Sequence, residues 1–140
     1  MMTNLSRFYE ASDWNYDIAL KEIQQGRKRS HWIWFIFPQM RGLGFSSNSQ
    51  YYGITGRAEA EDYLCDSTLG PRLREITQAL LNHKGRSAQD ILGHIDAIKV
   101  RSSMTLFDLV SPNDIFAKVL DEFYDGRRCE RSLRLIEEAE

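Results

Sequence analysis

Apolar residues return at helical intervals along most of this chain. Leu69, Leu73, Ile76 and Leu80 are spaced four, three and four apart, which predicts one amphipathic helix face. Gly70-Pro71 opens that helix, with Pro71 in the first turn where a missing N–H costs little. Ile95, Ile98, Ser102, Leu106 and Leu109 form a broad face of a second helix, with Asp96 as its expected cap. Ile115, Phe116, Val119, Leu120 and Phe123 form the inward face of a third, between Asn113 as cap and Gly126 as stop. Leu5 to Ile23 also reads as helical, in one or two pieces, with Asp13 as a cap before Trp14 and Gly26 as the stop. Arg57 to Leu64 returns to helix, Ser87 with Asp90 resembles a capping box for a short helix to Leu92, and Ser132 to Glu138 makes a last one. No stretch alternates with the two-residue period of a half-buried strand. The pattern predicts an all-α fold, a single compact helical domain over 1–140 with about seven helices and short connections.

One segment departs from this periodicity. Gly26 to Gly44 reads GRKRSHWIWFIFPQMRGLG: three cations, His31, a block of large apolar side chains from Trp32 to Phe37, then Pro38 and a glycine-flanked Leu43. A short apolar run does not reveal its period, so helix and buried strand both fit. The rest of the chain offers no strand to pair with, and a lone strand leaves backbone groups unsatisfied, which favours a helix capped by Ser30 and ending near Pro38. Gly42 to Gly56 follows as a polar loop rich in Gly, Ser and Asn.

Composition narrows the classes of function. The chain has 140 residues, enough for one domain. With 18 basic and 20 acidic residues it lacks the basic surplus of a dedicated DNA binder, so nucleic acid is disfavoured as a partner. No apolar run approaches the ~20 residues of a membrane helix, and the first 25 residues are polar, so neither membrane span nor signal peptide is expected and the chain reads as cytoplasmic. Cys65 and Cys129 are far apart and in no ligand-like spacing, so no metal site or cofactor is implied.

Within these bounds the candidate chemistry is that of a ligand site. Trp32 and Trp34 each carry an indole N–H that wants a partner and a face that can stack a flat ring, although large consecutive apolar residues also suit a core. Arg27, Lys28 and Arg29 can clamp an anion or simply follow a helix C-terminus. Ser46, Ser47 and Ser49 offer hydroxyls, but the loop holds no phosphate-binding glycine signature. Ser102 is a polar residue on an apolar helix face, free to bond back one turn or to meet a ligand together with Lys99. His31 is the proton-transfer candidate; Glu59, Glu61 and Asp96 are isolated carboxylates without a visible pairing.

These same tracts carry a family resemblance. GRKRSHWIWFIFPQMRGLG, the serines leading to Tyr52-Gly53-Ile54, EAEDYL, LGPRL and IDAIKVRSSMTLF resemble a bacterial and fungal family of small all-helical proteins classed as a domain of unknown function. Its members are sometimes labelled "calpastatin", a label at odds with this chain, because those inhibitors resemble disordered repeats and this sequence is dense in apolar residues. Asp66 and Ser67 stand where members commonly carry His-Pro, and Cys129 and Ser132 replace polar residues near the end; the resemblance implies structural roles there. The order of elements is more distantly similar to a helical family proposed to act on NAD- and ADP-ribose-derived glycosidic bonds. Gln50 stands near the place where those proteins carry a glutamate, and glycosidic chemistry wants a carboxylate.

Two expectations follow. The first is a small-molecule site for an anionic nucleotide-like (ADP-ribose or NAD-type) ligand, with N-glycosidic hydrolysis as its further reach. Trp32 or Trp34 would stack the base, Arg41, Lys99 and Arg101 would neutralise phosphate, Ser46, Ser49 and Tyr51 would orient the sugar beside Ser102, and His31 would move the proton. The second is a non-enzymatic module that docks an acidic protein or single-stranded RNA.

Overall fold

Helix α1 (Ser6–Gln24) runs unbroken through Asp13, whose carboxylate pairs with Arg72 at 2.8 Å instead of starting a second helix. The computed structural model describes residues 4–140, and they form nine helices and one isolated bridge. The others are α2 (Ile33–Ile36), α3 (Ser47–Tyr51), α4 (Arg57–Cys65), α5 (Leu69–Leu81), α6 (Ala88–Leu92), α7 (His94–Val110), α8 (Ile115–Tyr124) and α9 (Glu130–Ala139). The all-α expectation stands, but nine helices replace about seven. The serine loop accounts for one of them: Ser46 Oγ accepts the amide of Ser49 at 3.1 Å and so caps α3.

Several ends differ in detail from the expected caps. Ser87 does cap α6, accepting the Asp90 amide at 3.0 Å. Asp114, not Asn113, caps α8 through Ile115 N at 2.7 Å, because Asn113 takes a positive φ in the turn before it. Gly93 precedes α7, and Asp96 turns away to Lys28 and Lys99. Gly26 ends α1 at φ +78°, a conformation that favours glycine.

Helix α7 lies at the centre, packed against α2, α4, α6, α8 and α9, while α5 packs against α1, α4 and α8. The expected stripe Leu69, Leu73, Ile76 and Leu80 is fully buried. Aromatic rings run through the core in edge and tilted contacts, Phe8 to Tyr63 at 5.1 Å, Tyr63 to Phe107 at 5.5 Å and Phe107 to Phe116 at 5.7 Å. Asp66 is structural: it accepts the Thr68 and Leu69 amides at 3.0 and 2.9 Å, so it closes the start of α5.

After α2 the chain extends through Pro38, and Met40 pairs in parallel with Ile54. A Cβ at Gly53 would lie 2.6 Å from Arg41 Cβ, so only glycine lets these segments approach. The crossing closes the intervening residues into a loop, of which Gln39, Leu43, Phe45, Ser46 and Ser49 share a cleft with the start of α7. No helix among the described residues is long and apolar enough to cross a membrane.

Candidate functional site

The aromatic block divides between interior and surface. Trp32 is 0% exposed. Its indole N–H donates to Glu22 Oε1 at 3.0 Å, and the same carboxylate accepts the Arg29 and Ser30 amides at 2.8 and 2.9 Å and the Ser30 hydroxyl at 2.6 Å. Ser30 therefore binds Glu22 instead of capping α2. Burial pushes the Glu22 carboxyl up, but the Ser30 hydroxyl, the Arg29 and Ser30 amides and the Trp32 indole outweigh it and hold the pKa at about 2. Lys28 belongs to the same knot: its ammonium sits 4.7 Å from the Trp32 ring centre and 2.7 Å from Asp96 Oδ2, with its side chain almost wholly covered. The expected three-cation clamp thus loses its middle member to the interior. Trp32, with both faces covered, is corrected from ligand-stacking residue to core.

Trp34, two residues on, is half-buried and stands between two joined depressions. The larger is a cleft of about 470 Å³ with walls from Trp34, Leu43, Phe45, Ile95 and Ile98 and polar groups from Gln39, Ser46, Ser49, Ser102 and Lys99. The smaller, about 420 Å³, includes His31, Lys28 and Asp96. Trp34, His94, Ile95 and Lys99 line both. The Lys99 ammonium lies 4.8 Å from the Trp34 ring centre and 3.6 Å from Asp96 Oδ1. Phe45, Ile95 and Ile98 are 87%, 67% and 56% exposed. The face of α7 expected to turn inward is therefore open in its first half, where Ile95 and Ile98 line the cleft.

Of the residues singled out in the sequence, Trp34, Ser46, Ser49, Lys99 and Ser102 share the cleft, and His31 faces the adjoining depression. Ser102 Oγ lies 3.3 Å from the Ile98 carbonyl, the one-turn back-bond that its position allows. Three residues do not converge on the cleft. Arg41 Nε donates to the Gln50 carbonyl at 2.9 Å; Tyr51 lines a separate depression with Trp14 and Phe35; Arg101 is held by the Arg127 and Arg128 carbonyls at 2.8 Å each. Among the isolated carboxylates, Glu59 forms a two-point pair with Arg7 at 2.7 and 3.1 Å, and Glu61 pairs with Arg57.

Gln39, His94, Cys129 and Arg131 also line the cleft, although none was a candidate in the sequence. Gln39 is only 8% exposed, and its side-chain amide has no hydrogen-bond partner among the described residues. A nearly buried amide without partners is costly unless the open side supplies them. One polar residue in the otherwise apolar run from Ile33 to Met40 was the available signal. His94 follows a glycine at a helix start, one residue before the exposed pair on α7, and Cys129 precedes the first turn of α9.

The sequence model of a family described as "Protein of unknown function (DUF1810)" matches residues 2–136. The crystal structure of the conserved hypothetical protein Rv1873 from Mycobacterium tuberculosis is similar to this chain, with 42% identity over 95% of this chain and 96% of that one and a TM-score of 0.92. No curated protein matches.

Proposed function

The chain belongs to the DUF1810 family of proteins of unknown function, and we propose that its cleft binds a small anionic, nucleotide-like ligand of the ADP-ribose or NAD type. The observation that carries this reading is the Trp34–Lys99 pair, an aromatic face and a cation 4.8 Å apart on the wall common to two joined depressions. A flat ring stacks on Trp34 against the apolar walls, and phosphate draws Lys99 away from Asp96. That exchange costs little, since Asp96 keeps Lys28 at 2.7 Å. Gln39 meets a polar edge of the ring, and Ser46 and Ser49 face the sugar.

The proposal is one of binding. No Asp or Glu lines the cleft among the described residues, and Asp96 in the adjoining depression is held between two lysines. Glycosidic hydrolysis wants a free carboxylate, so that extension draws no support here. Arg41 and Arg101 leave the ligand set because backbone carbonyls hold their guanidinium groups, and Tyr51 because it lines a separate depression.

Calorimetric titration with ADP-ribose, NAD and AMP tests the reading, alongside thermal unfolding. A ligand at a hundredfold excess over its Kd stabilises the fold by ~2.7 kcal/mol. Absence of heat and of stabilisation by all three at millimolar concentration would sink it.

A second reading, docking of an acidic protein segment, has an observation of its own. Arg101, Arg127, Arg128, Arg131 and Arg134 line a depression of about 550 Å³, and the Arg127 and Arg134 side chains have no partner among the described residues. Salt-sensitive binding of a polyglutamate peptide, lost in Arg127→Ala/Arg134→Ala, is the expected result.

A further inference from the structure

Cys129 lines both the cleft and the arginine-rich depression, at the point where the two meet. The α7–α9 junction holds it in place: its amide donates to Thr105 Oγ1 at 2.9 Å, and its sulfur lies 3.4 Å from Ser102 Oγ. The single Ser102 proton goes to this sulfur or to the Ile98 carbonyl, so the hydroxyl can turn to a thiolate as charge develops. Arg131 and Lys99 line the same cleft, and Cys129 immediately precedes the ten-residue helix α9. Positive charge and a helix start both favour a thiolate over a thiol. Burial pushes the thiol up, yet the Ser102 hydroxyl and the amides of Ser132 and Arg131 at the start of α9 outweigh it, and the pKa is lowered.

A cysteine so placed would mean little without a sign that its cavity takes something in. Gln39 supplies that sign independently: the residue is nine-tenths buried on the wall of the same cleft, and its side-chain amide has no partner among the described residues. Flat apolar walls, cations and no lining carboxylate define what enters: a planar or apolar body that carries negative charge.

We propose that Cys129 is a site of thiol–disulfide exchange with small anionic disulfides admitted by this cleft. The Cys129 thiolate attacks one sulfur of the incoming disulfide. A bond forms from Cys129 to that sulfur, the original S–S bond breaks, and its electron pair leaves on the second sulfur as a free thiolate, which takes a proton from solvent according to its own pKa. The incoming disulfide is the oxidant; one half is released reduced, and Cys129 ends in a mixed disulfide. The group so attached occupies the cleft and closes it to other ligands. None of this depends on the cleft accepting a nucleotide.

The test uses Cys65→Ser, which leaves Cys129 as the thiol, and Cys129→Ser, which leaves the exposed Cys65. Each is mixed with anionic dithiobis(nitrobenzoate) and with neutral dithiodipyridine at neutral pH, after circular dichroism has shown both variants folded. Cys129 is expected to react with the anionic disulfide about tenfold faster than Cys65, and that advantage to shrink with the neutral one. Lys99→Ala and Arg131→Ala are expected to slow only the anionic reaction, as high salt does in the unaltered arginine and lysine background. An equal or faster reaction at Cys65 with the anionic probe, or a Cys129 rate indifferent to probe charge and salt, overturns the proposal.

Discussion

Trp32 and Trp34 are two residues apart and live in different worlds. One is sealed in the core with its indole bound to Glu22; the other is half-buried between two depressions with a lysine over its ring. Trp32 precedes α2 with a non-helical backbone, φ −131° and ψ 6°, while Trp34 stands inside the helix. The change of backbone direction between them goes with one ring in the core and the other at the edge. The inward ring serves stability through a carboxylate with four donors, and the outward ring forms part of the cleft wall beside Lys99. Large aromatic residues clustered in sequence thus need not share a role.

The strongest way to break this contrast is to remove each ring. Trp32→Ala is expected to cost about 3–5 kcal/mol, because it opens a cavity and also takes a donor from Glu22. Trp34→Ala is expected to cost under about 1 kcal/mol, as befits a side chain with one side in solvent. Urea unfolding of the two variants measures both. Comparable losses would mean that the two rings are not divided as described.

Acid titration sharpens the inward half. The Glu22 pKa is held at about 2 in the fold, below the ordinary 4.5. A depressed carboxylate contributes stability above its unfolded pKa and loses it as pH falls through the folded one. The contribution is therefore full at neutral pH and fades from about pH 4.5 to about 2, amounting to about 3 kcal/mol. Glu22→Gln is expected to be less stable at neutral pH and to lose part of the acid dependence. Melting temperatures measured down through that window check both, and an unchanged acid slope would remove Glu22 from its central place.

How much of this was legible in the sequence varies with the range of the forces involved. The stripe on α5 and the inward face of α8 were readable because their period is local, as were the Gly26 and Gly126 stops and the Ser87 cap. The division between Trp32 and Trp34 was not, because the deciding partner, Glu22, comes from α1. Ile95 and Ile98 carried the right spacing for a buried face, yet nothing in a helix's own period says whether a neighbour will cover it. Arg41, Tyr51 and Arg101 looked convergent as residue types, and tertiary contacts sent them to three other places. Cys129 entered the cleft through the α7–α9 junction, a contact between distant segments.

The outward half is tested next by Lys99. Lys99→Ala is expected to weaken binding of ADP-ribose or NAD about tenfold, through loss of a cation beside an aromatic ring and a phosphate, with little change in stability. A loss of affinity that vanishes at high salt identifies phosphate as the group contacted. Equal affinity in the variant would take Lys99 out of the site.

The smallest expected effect on stability is the most discriminating. A buried amide that serves the fold through hydrogen bonds destabilises when it is removed, whereas Gln39 makes none with its side chain among the described residues. Gln39→Leu keeps a side chain of similar size and removes the unpaired polar atoms, so stability is expected to stay within about 0.5 kcal/mol or to rise. Ligand affinity is expected to fall in the same variant, because the atoms removed are those turned to the cleft. The two responses have opposite signs only if the amide is there for something that enters. A variant that is destabilised by more than 1 kcal/mol and binds unchanged would instead put Gln39 with Trp32, among the side chains that hold the protein together.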